Sequence, residues 1–171
     1  MKGYIQVYTG DGKGKTTAAI GLALRASGAG LKVFIAQFVK GQEYSEVKAL
    51  KKISGNITLK QYGRQCFIKS TPEPEDIQIA RSGLEEVKKI LLDNKYDLVI
   101  LDEANIAVYF NLFTIQELID TIFKKSNNTE ILITGRKAHS KLIKIADLVT
   151  EMKEIKHYYN NGVQARKGIE S

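Results

Sequence analysis

The sequence is poor in the residues that build disulfide or zinc frameworks. Its 171 residues hold one cysteine, Cys66, two histidines, His139 and His157, and no tryptophan. A single cysteine excludes an internal disulfide framework and any cysteine-cluster metal site, and it fits a reducing compartment. The two histidines are far apart in sequence, and neither has a metal-ligand partner at helical spacing, so neither is assigned to zinc or to a nucleophile–base pair. Both prolines, Pro72 and Pro74, fall in one short segment. The longest apolar runs are too short to span a bilayer. There is no internal repeat, low-complexity stretch or linker. No dense basic arm or aromatic-spaced basic stripe argues for nucleic acid. The first residues read as a strand rather than a signal peptide, so a cytoplasmic location is expected.

What is present is ordinary for a globular protein: 43% hydrophobic and 26% charged residues. The length predicts one domain over residues 1–171 with a sizeable core. The net charge of +7 points to an anionic partner, with nucleotide, nucleic acid and acidic protein all open.

The most informative stretch is Thr9-Gly10-Asp11-Gly12-Lys13-Gly14-Lys15-Thr16-Thr17, which follows the short apolar strand Tyr4–Tyr8. Strand, glycine-rich turn and Gly-Lys-Thr opening a helix form a phosphate-binding loop. Glycines let backbone N–H groups turn toward an anion, and the helix adds its positive dipole end. Lys15 supplies a point charge, and the Thr16 hydroxyl suits Mg²⁺. Thr9 stands where the strict pattern has glycine, so a hydrolase reading is not automatic.

Strand and helix signals alternate along the chain, the mark of an α/β fold with a mostly parallel central sheet. The pattern predicts about six strands with helices on both faces, a single P-loop, RecA-like domain. Expected strands are 4–8, 32–38, 57–62, 97–101, 130–134 and 148–152. Expected helices are 15–28, 45–52, one opened by Thr71–Asp76 and running to about Leu92, one from the capping box Thr114–Glu117 to about Lys125, and 138–146. Proline and acidic residues suit the first turn of the third helix.

Ligands in such sheets bind beyond the carboxyl ends of the strands, so the residues after each strand matter most. Leu98-Val99-Ile100-Leu101-Asp102-Glu103 is an apolar run closed by two acids, the Walker B pattern. Asp102 is expected to hold Mg²⁺, and Glu103 to activate water or join the metal shell. Gly135-Arg136 and Lys40 each follow a strand, where a cation near a polyphosphate and a solvated side chain are equally compatible readings. Residues 62–70 form a long loop at the ligand edge carrying Tyr62 and Phe67. Such loops are often functional, although aromatic anchoring on the core is an equal reading.

Together these segments resemble the corrinoid adenosyltransferases of the CobA/CobO/BtuR type. The likeness rests on Thr9–Thr17, Gln37-Phe38-Val39-Lys40-Gly41, Leu101-Asp102-Glu103, Ile133-Thr134-Gly135-Arg136, Lys156-His157 and the tail Gly162–Glu170. The resemblance implies transfer of the 5′-deoxyadenosyl group of ATP to the Co(I) of cobalamin or a precursor, with triphosphate released. ATP is then bound by Thr9, Gly10, Asp11, Gly12, Lys13, Gly14, Lys15, Thr16, Thr17 and Arg136, in the reverse sense to ordinary phosphate-loop proteins. Mg²⁺ falls to Thr16, Asp102 and Glu103, and the catalytic set is Lys15, Thr16 and Phe67. Tyr62 and Phe67 are the corrinoid-facing candidates, because relatives use a Phe and a Trp in that loop to displace the lower axial ligand of cobalt. Those relatives carry an N-terminal extension that closes over the corrinoid, whereas this sequence starts at the first strand, so a more open site or closure by another segment is expected. A homodimer and a flavodoxin-like acidic reductant are further implications. Two other classes stay open on the residues alone: a small-molecule kinase, which would show a lid of clustered arginines, and a RecA-like nucleic-acid-stimulated ATPase, which the basic charge permits.

Overall fold

A computed structural model describes residues 2–42, 44–53, 55–64 and 71–170. Its order is β1 (Ile5–Thr9), α1 (Lys15–Gly28), β2 (Val33–Phe38), α2 (Ser45–Ile53), β3 (Ile57–Tyr62), α3 (Pro74–Asp93), β4 (Leu98–Asp102), α4 (Ala104–Tyr109), α5 (Ile115–Ile122), β5 (Glu130–Thr134), α6 (Ser140–Ile145) and β6 (Leu148–Glu151). A 3-10 turn, Tyr158–Asn161, follows in the tail. The six strands form one sheet in the order β3-β2-β4-β5-β1-β6, and every pairing is parallel.

Parallel strands covered on both faces need apolar side chains in both directions, which is why β2 and β4 are buried along their whole length. Val33, Ile35, Leu98 and Ile100 point to one face and pack with Ala19, Ala23 and Ala26 of α1 and Leu50 of α2. Phe34, Ala36, Phe38, Val99 and Leu101 point to the other and meet Ala80, Leu84, Val87 and Leu91 of α3, with α4, α5 and α6. The helix ends follow their sequence signals. Pro74 opens α3, the Glu73 N–H donates to Asp76 at 2.8 Å, and Asn94 closes the helix in the left-handed region at φ 50°. Thr114 and Glu117 form the expected capping box at α5. The helix α4 was not expected. It starts directly after β4 from Glu103, whose side chain makes no capping bond.

The sheet order separates β1 from β4 by the single strand β5. The phosphate loop, the two acids and the Gly135-Arg136 turn therefore emerge side by side at the carboxyl edge. Among the described residues no helix is long and apolar enough to cross a membrane.

Candidate active site

Gly10 and Gly14 both take left-handed φ values, 94° and 114°. These values favour glycine. At Gly10 and Gly12 there is a second requirement. A Cβ on Gly10 would lie 2.4 Å from the Met152 carbonyl oxygen, and one on Gly12 would lie 2.7 Å from the same atom. The Gly12 N–H already donates to Met152 O at 2.7 Å, and the Met152 N–H donates to Thr9 O at 2.8 Å. These two glycines thus admit the backbone that leaves β6, and the Gly12 N–H is engaged there. Thr9 is buried at the end of β1, and its hydroxyl accepts the Ala138 N–H at 3.2 Å. The residue that departs from the glycine pattern ties the phosphate loop to the segment following Arg136.

Lys15 is buried, and its ammonium donates to the carbonyls of Gly10 and Gly12, each at 2.7 Å. Burial lowers its pKa, with Arg136 adding to that and Glu103 opposing it. Gly14 sits at the N-cap of α1 and offers no side chain, so the first N–H groups of the helix are left for an anion.

Asp102 is the hub. Its carboxylate, 1% exposed, accepts the hydroxyls of Thr16 at 2.9 Å and Thr134 at 2.6 Å on one oxygen. The other oxygen accepts the Gln37 amide at 3.1 Å and the Lys40 ammonium at 2.9 Å. Lys40 also donates to Thr16 Oγ1 at 3.2 Å. Burial pulls the Lys40 pKa down, but the Asp102 charge and hydrogen bond outweigh it and the net shift is upward. Beside this hub Glu103 holds φ 59°, and its N–H donates to Thr134 Oγ1 at 3.1 Å. Burial, then the Asp102 charge, raise the Glu103 pKa, while Lys40, Lys15 and Arg136 oppose them.

Lys15, Thr16, Lys40 and Glu103 line one cleft of about 800 Å³, a size typical of small-molecule sites, with the Asp102 carboxylate buried behind them. Its floor is Gly12–Thr17 with Lys40, Glu103 and Arg136. Tyr44, Glu46 and Ala49 form one side. The other side comes from the tail through His157, Ala165, Gly168, Ile169 and Glu170. Glu170 fixes that wall. It bonds Tyr158 and pairs with Lys13 at 3.2 Å and Arg166 at 3.1 Å. Arg166, then Tyr158, hold its carboxyl well below the usual range.

The described residues therefore bring together Lys13, Gly14, Lys15, Thr16, Thr17, Asp102, Glu103 and Arg136. Asp11 is exposed on the loop outside the cleft wall, as Thr9 and Gly10 are also outside it. Tyr62 is the last residue of β3, where the sequence pattern ends that strand, and its side chain follows the core-anchoring reading. Its ring is buried against Phe38 and over Gly83, where no Cβ would fit, and its hydroxyl donates to Glu86 at 2.9 Å. Phe67 and Cys66 lie outside the described residues. The histidines have local duties: the Nδ1 of each accepts a backbone N–H, His139 at α6 and His157 at the tail turn. Gln37, the hydroxyl of Thr134, and Glu170 had no role in the sequence reading. A glutamine one residue before the end of an otherwise apolar strand was the visible signal for the first.

The sequence profile of a family described as "ATP:corrinoid adenosyltransferase BtuR/CobO/CobP" matches residues 1–171. The chain belongs to this family. The corrinoid adenosyltransferase of Escherichia coli K12 is 35% identical over 176 residues, covering 99% of this chain and 86% of that protein. A Sinorhizobium corrinoid adenosyltransferase is 34% identical, over 99% of this chain and 80% of its own. The corrinoid adenosyltransferase CobA of Salmonella typhimurium is 32% identical, over 99% and 86%. The family's reaction is adenosyl transfer from ATP to a corrinoid, so the chain is an ATP-dependent transferase, and the kinase and nucleic-acid-stimulated ATPase readings fall away.

Proposed function

We propose that the cleft holds ATP by its triphosphate and presents C5′ to the Co(I) of a corrinoid, cobalamin or an earlier precursor. The electron pair of Co(I) forms the Co–C bond, the C5′–O bond breaks, and its electrons leave with triphosphate. No proton has to be removed, so the protein needs no general base. Its tasks are positioning and stabilising the charge that gathers on the leaving group. The observation that carries this reading is the cluster of Lys15, Thr16, Lys40 and Asp102 at the start of α1. It joins cations and open helix N–H groups where a polyphosphate would sit.

The donor set suits Mg²⁺. A threonine hydroxyl and two carboxylates are hard oxygen ligands, and Thr16 Oγ1 and Asp102 Oδ2 already share one cation, the ammonium of Lys40. Thr16 and Asp102, with Glu103 beside them, would hold the ion, which would supply further charge neutralisation on the triphosphate. Lys15 and Arg136 flank the same end, and Lys13 stands at the tail wall. Phe67 is the candidate for meeting the corrinoid and displacing its lower axial ligand. A homodimer, an acidic flavodoxin-like reductant drawn to the basic surface and a cytoplasmic location complete the proposal.

The deciding experiment is anoxic incubation with ATP, Mg²⁺ and chemically reduced Co(I) cobalamin. A light-sensitive Co–C product and free triphosphate are expected, and Lys15→Ala should abolish both. Release of phosphate or diphosphate without a Co–C bond refutes the mechanism. Running cobalamin beside a base-lacking precursor reports the preferred corrinoid. Phe67→Ala should lose activity with Co(II) plus reductant and keep it with preformed Co(I); equal loss in both assigns Phe67 to simple corrinoid binding.

A further inference from the structure

The backbone around Lys40 is built to hold its side chain over Asp102. Val39, a β-branched residue, takes φ 60°, a conformation that costs such a residue and persists where the surroundings enforce it. The enforcement is visible. The Val39 N–H donates to Tyr62 O at 3.2 Å. A Cβ on Gly41 would fall 2.3 Å from the Gly63 carbonyl, and one on Gly63 would fall 2.5 Å from the Lys40 nitrogen. The chains leaving β2 and β3 therefore clasp each other through two glycines, and the clasp turns Lys40 back across the sheet edge. Its ammonium reaches Asp102 Oδ2 at 2.9 Å and Thr16 Oγ1 at 3.2 Å, with the Tyr44 ring 5.8 Å away. Those two oxygens are the ones assigned above to the metal.

We infer that Lys40 is an internal counter-cation that occupies the metal position in the nucleotide-free enzyme and exchanges with the metal when the triphosphate enters, its ammonium moving onto the phosphates. The inference rests on the metal reading of Thr16 and Asp102. Without Lys40, the buried Asp102 carboxylate would lose its ion pair and keep only the neutral donors Thr16, Thr134 and Gln37, a costly state for a buried charge. With it, a divalent ion arriving alone has to displace an ammonium bonded to Asp102, and the other carboxylates near Lys40, Glu103 and Glu46, make no bond to it that could replace the one lost. An ion arriving with triphosphate brings the anion that receives Lys40. Metal and nucleotide binding are then coupled, each favouring the other by the same factor.

The test is Mn²⁺ binding to the full chain by equilibrium dialysis, read as the Mn²⁺ in excess on the protein side of the membrane with tripolyphosphate equal on both sides. Wild-type protein should bind one Mn²⁺ with inorganic tripolyphosphate present and far more weakly without it. Lys40→Met should bind Mn²⁺ alone at least about tenfold more tightly than wild type, because a like charge has left the site, and should bind tripolyphosphate more weakly. Lys40→Arg, which keeps the charge, should behave as wild type toward Mn²⁺ alone. If Lys40→Met gains no affinity while wild type binds Mn²⁺ with tripolyphosphate, the exchange is wrong and the metal reading stands. If wild type binds no Mn²⁺ even with tripolyphosphate, the metal reading fails and the exchange with it. A second measurement avoids any variant that folds poorly. In wild-type protein carrying ¹⁵N-lysine, the Lys40 Nζ resonance should shift with Mg²⁺ plus tripolyphosphate and stay in place with Mg²⁺ alone; no shift with both present overturns the exchange.

Discussion

Gly12→Ala separates two reasons for a glycine in a phosphate loop. If the glycine serves only the approach of phosphate, the variant is as stable as wild type and loses nucleotide affinity. The structure gives another reason. The new Cβ would lie 2.7 Å from Met152 O and 2.8 Å from the carbonyl carbon and oxygen of Lys153. All three are backbone atoms, which yield far less readily than the end of a flexible side chain. Overpacking of this kind costs about 1–3 kcal/mol. Shifting the strand also strains or breaks the 2.7 Å bond from Gly12 N–H to Met152 O, roughly another 0.5–1.5 kcal/mol. A loss near 3 kcal/mol lowers the melting temperature of a domain this size by about 6–12 °C. Gly21→Ala is the control. That glycine is exposed within α1, and nothing lies within 4 Å of its would-be Cβ. The alanine should stabilise by about 0.5–1 kcal/mol. Urea and thermal melts of nucleotide-free protein measure both. A Gly12→Ala protein with the wild-type urea midpoint, damaged only in ATP affinity, would refute the argument.

Three further outcomes follow from the side-chain network. Arg64 forks onto Asp76 at 2.7 and 2.9 Å. That hydrogen-bonded pairing, with help from the Glu73 N–H, holds the Asp76 carboxyl below its ordinary value of 3.8. A folded-state pKa below the unfolded one gives stability that is complete above the unfolded value and is lost as pH falls through the folded value. The stability advantage of wild type over Asp76→Asn in urea melts should therefore be steady at neutral pH and shrink below about pH 4; a constant difference down to pH 2 contradicts it. Glu170→Gln should loosen the tail wall of the cleft, read as faster hydrogen exchange over residues 158–170, since Lys13, Arg166 and Tyr158 all converge on that carboxylate; unchanged exchange sinks the idea. Tyr62→Phe should cost about 0.5–1.5 kcal/mol of stability through the lost hydroxyl bond and leave the corrinoid KM unchanged, as its ring lies in the core; a raised KM with unaltered stability would return Tyr62 to the corrinoid site.

The parts of this molecule that the sequence made legible are those governed by local chemistry. Continuous apolar runs exposed β2, β4 and β5 because a sheet covered on both faces demands them. Pro74 and the Thr114–Glu117 box marked two helix starts because capping is a matter of a few adjacent residues. The short α4 escaped because six residues carry too little periodicity and Glu103 gives no capping bond. For Tyr62 the sequence left core anchoring and ligand contact as equal readings, because a strand's last residue and a loop's first read alike until the Gly83 surface is seen beneath the ring. The meaning of Gly10 and Gly12 escaped because their neighbour, Met152, is distant in sequence.

The phosphate loop also shows why recognising a motif and explaining it differ. An ammonium has three donors. Lys15 gives two of them to the carbonyls of Gly10 and Gly12, which leaves one for a phosphate. The lysine can thus hold the loop in shape and bind the leaving group at once, with no reorganisation when triphosphate arrives. Lys40 is the opposite case. Its bonds run to Asp102 and Thr16, the groups that a metal would claim, so it cannot keep them and also make room. One lysine is held by neutral carbonyls; the other is held by an anion, which the proposed exchange has it trade for the triphosphate. That difference follows from what each ammonium touches, and under the proposed exchange it divides the site into a standing cradle at β1 and an exchangeable cation at β2.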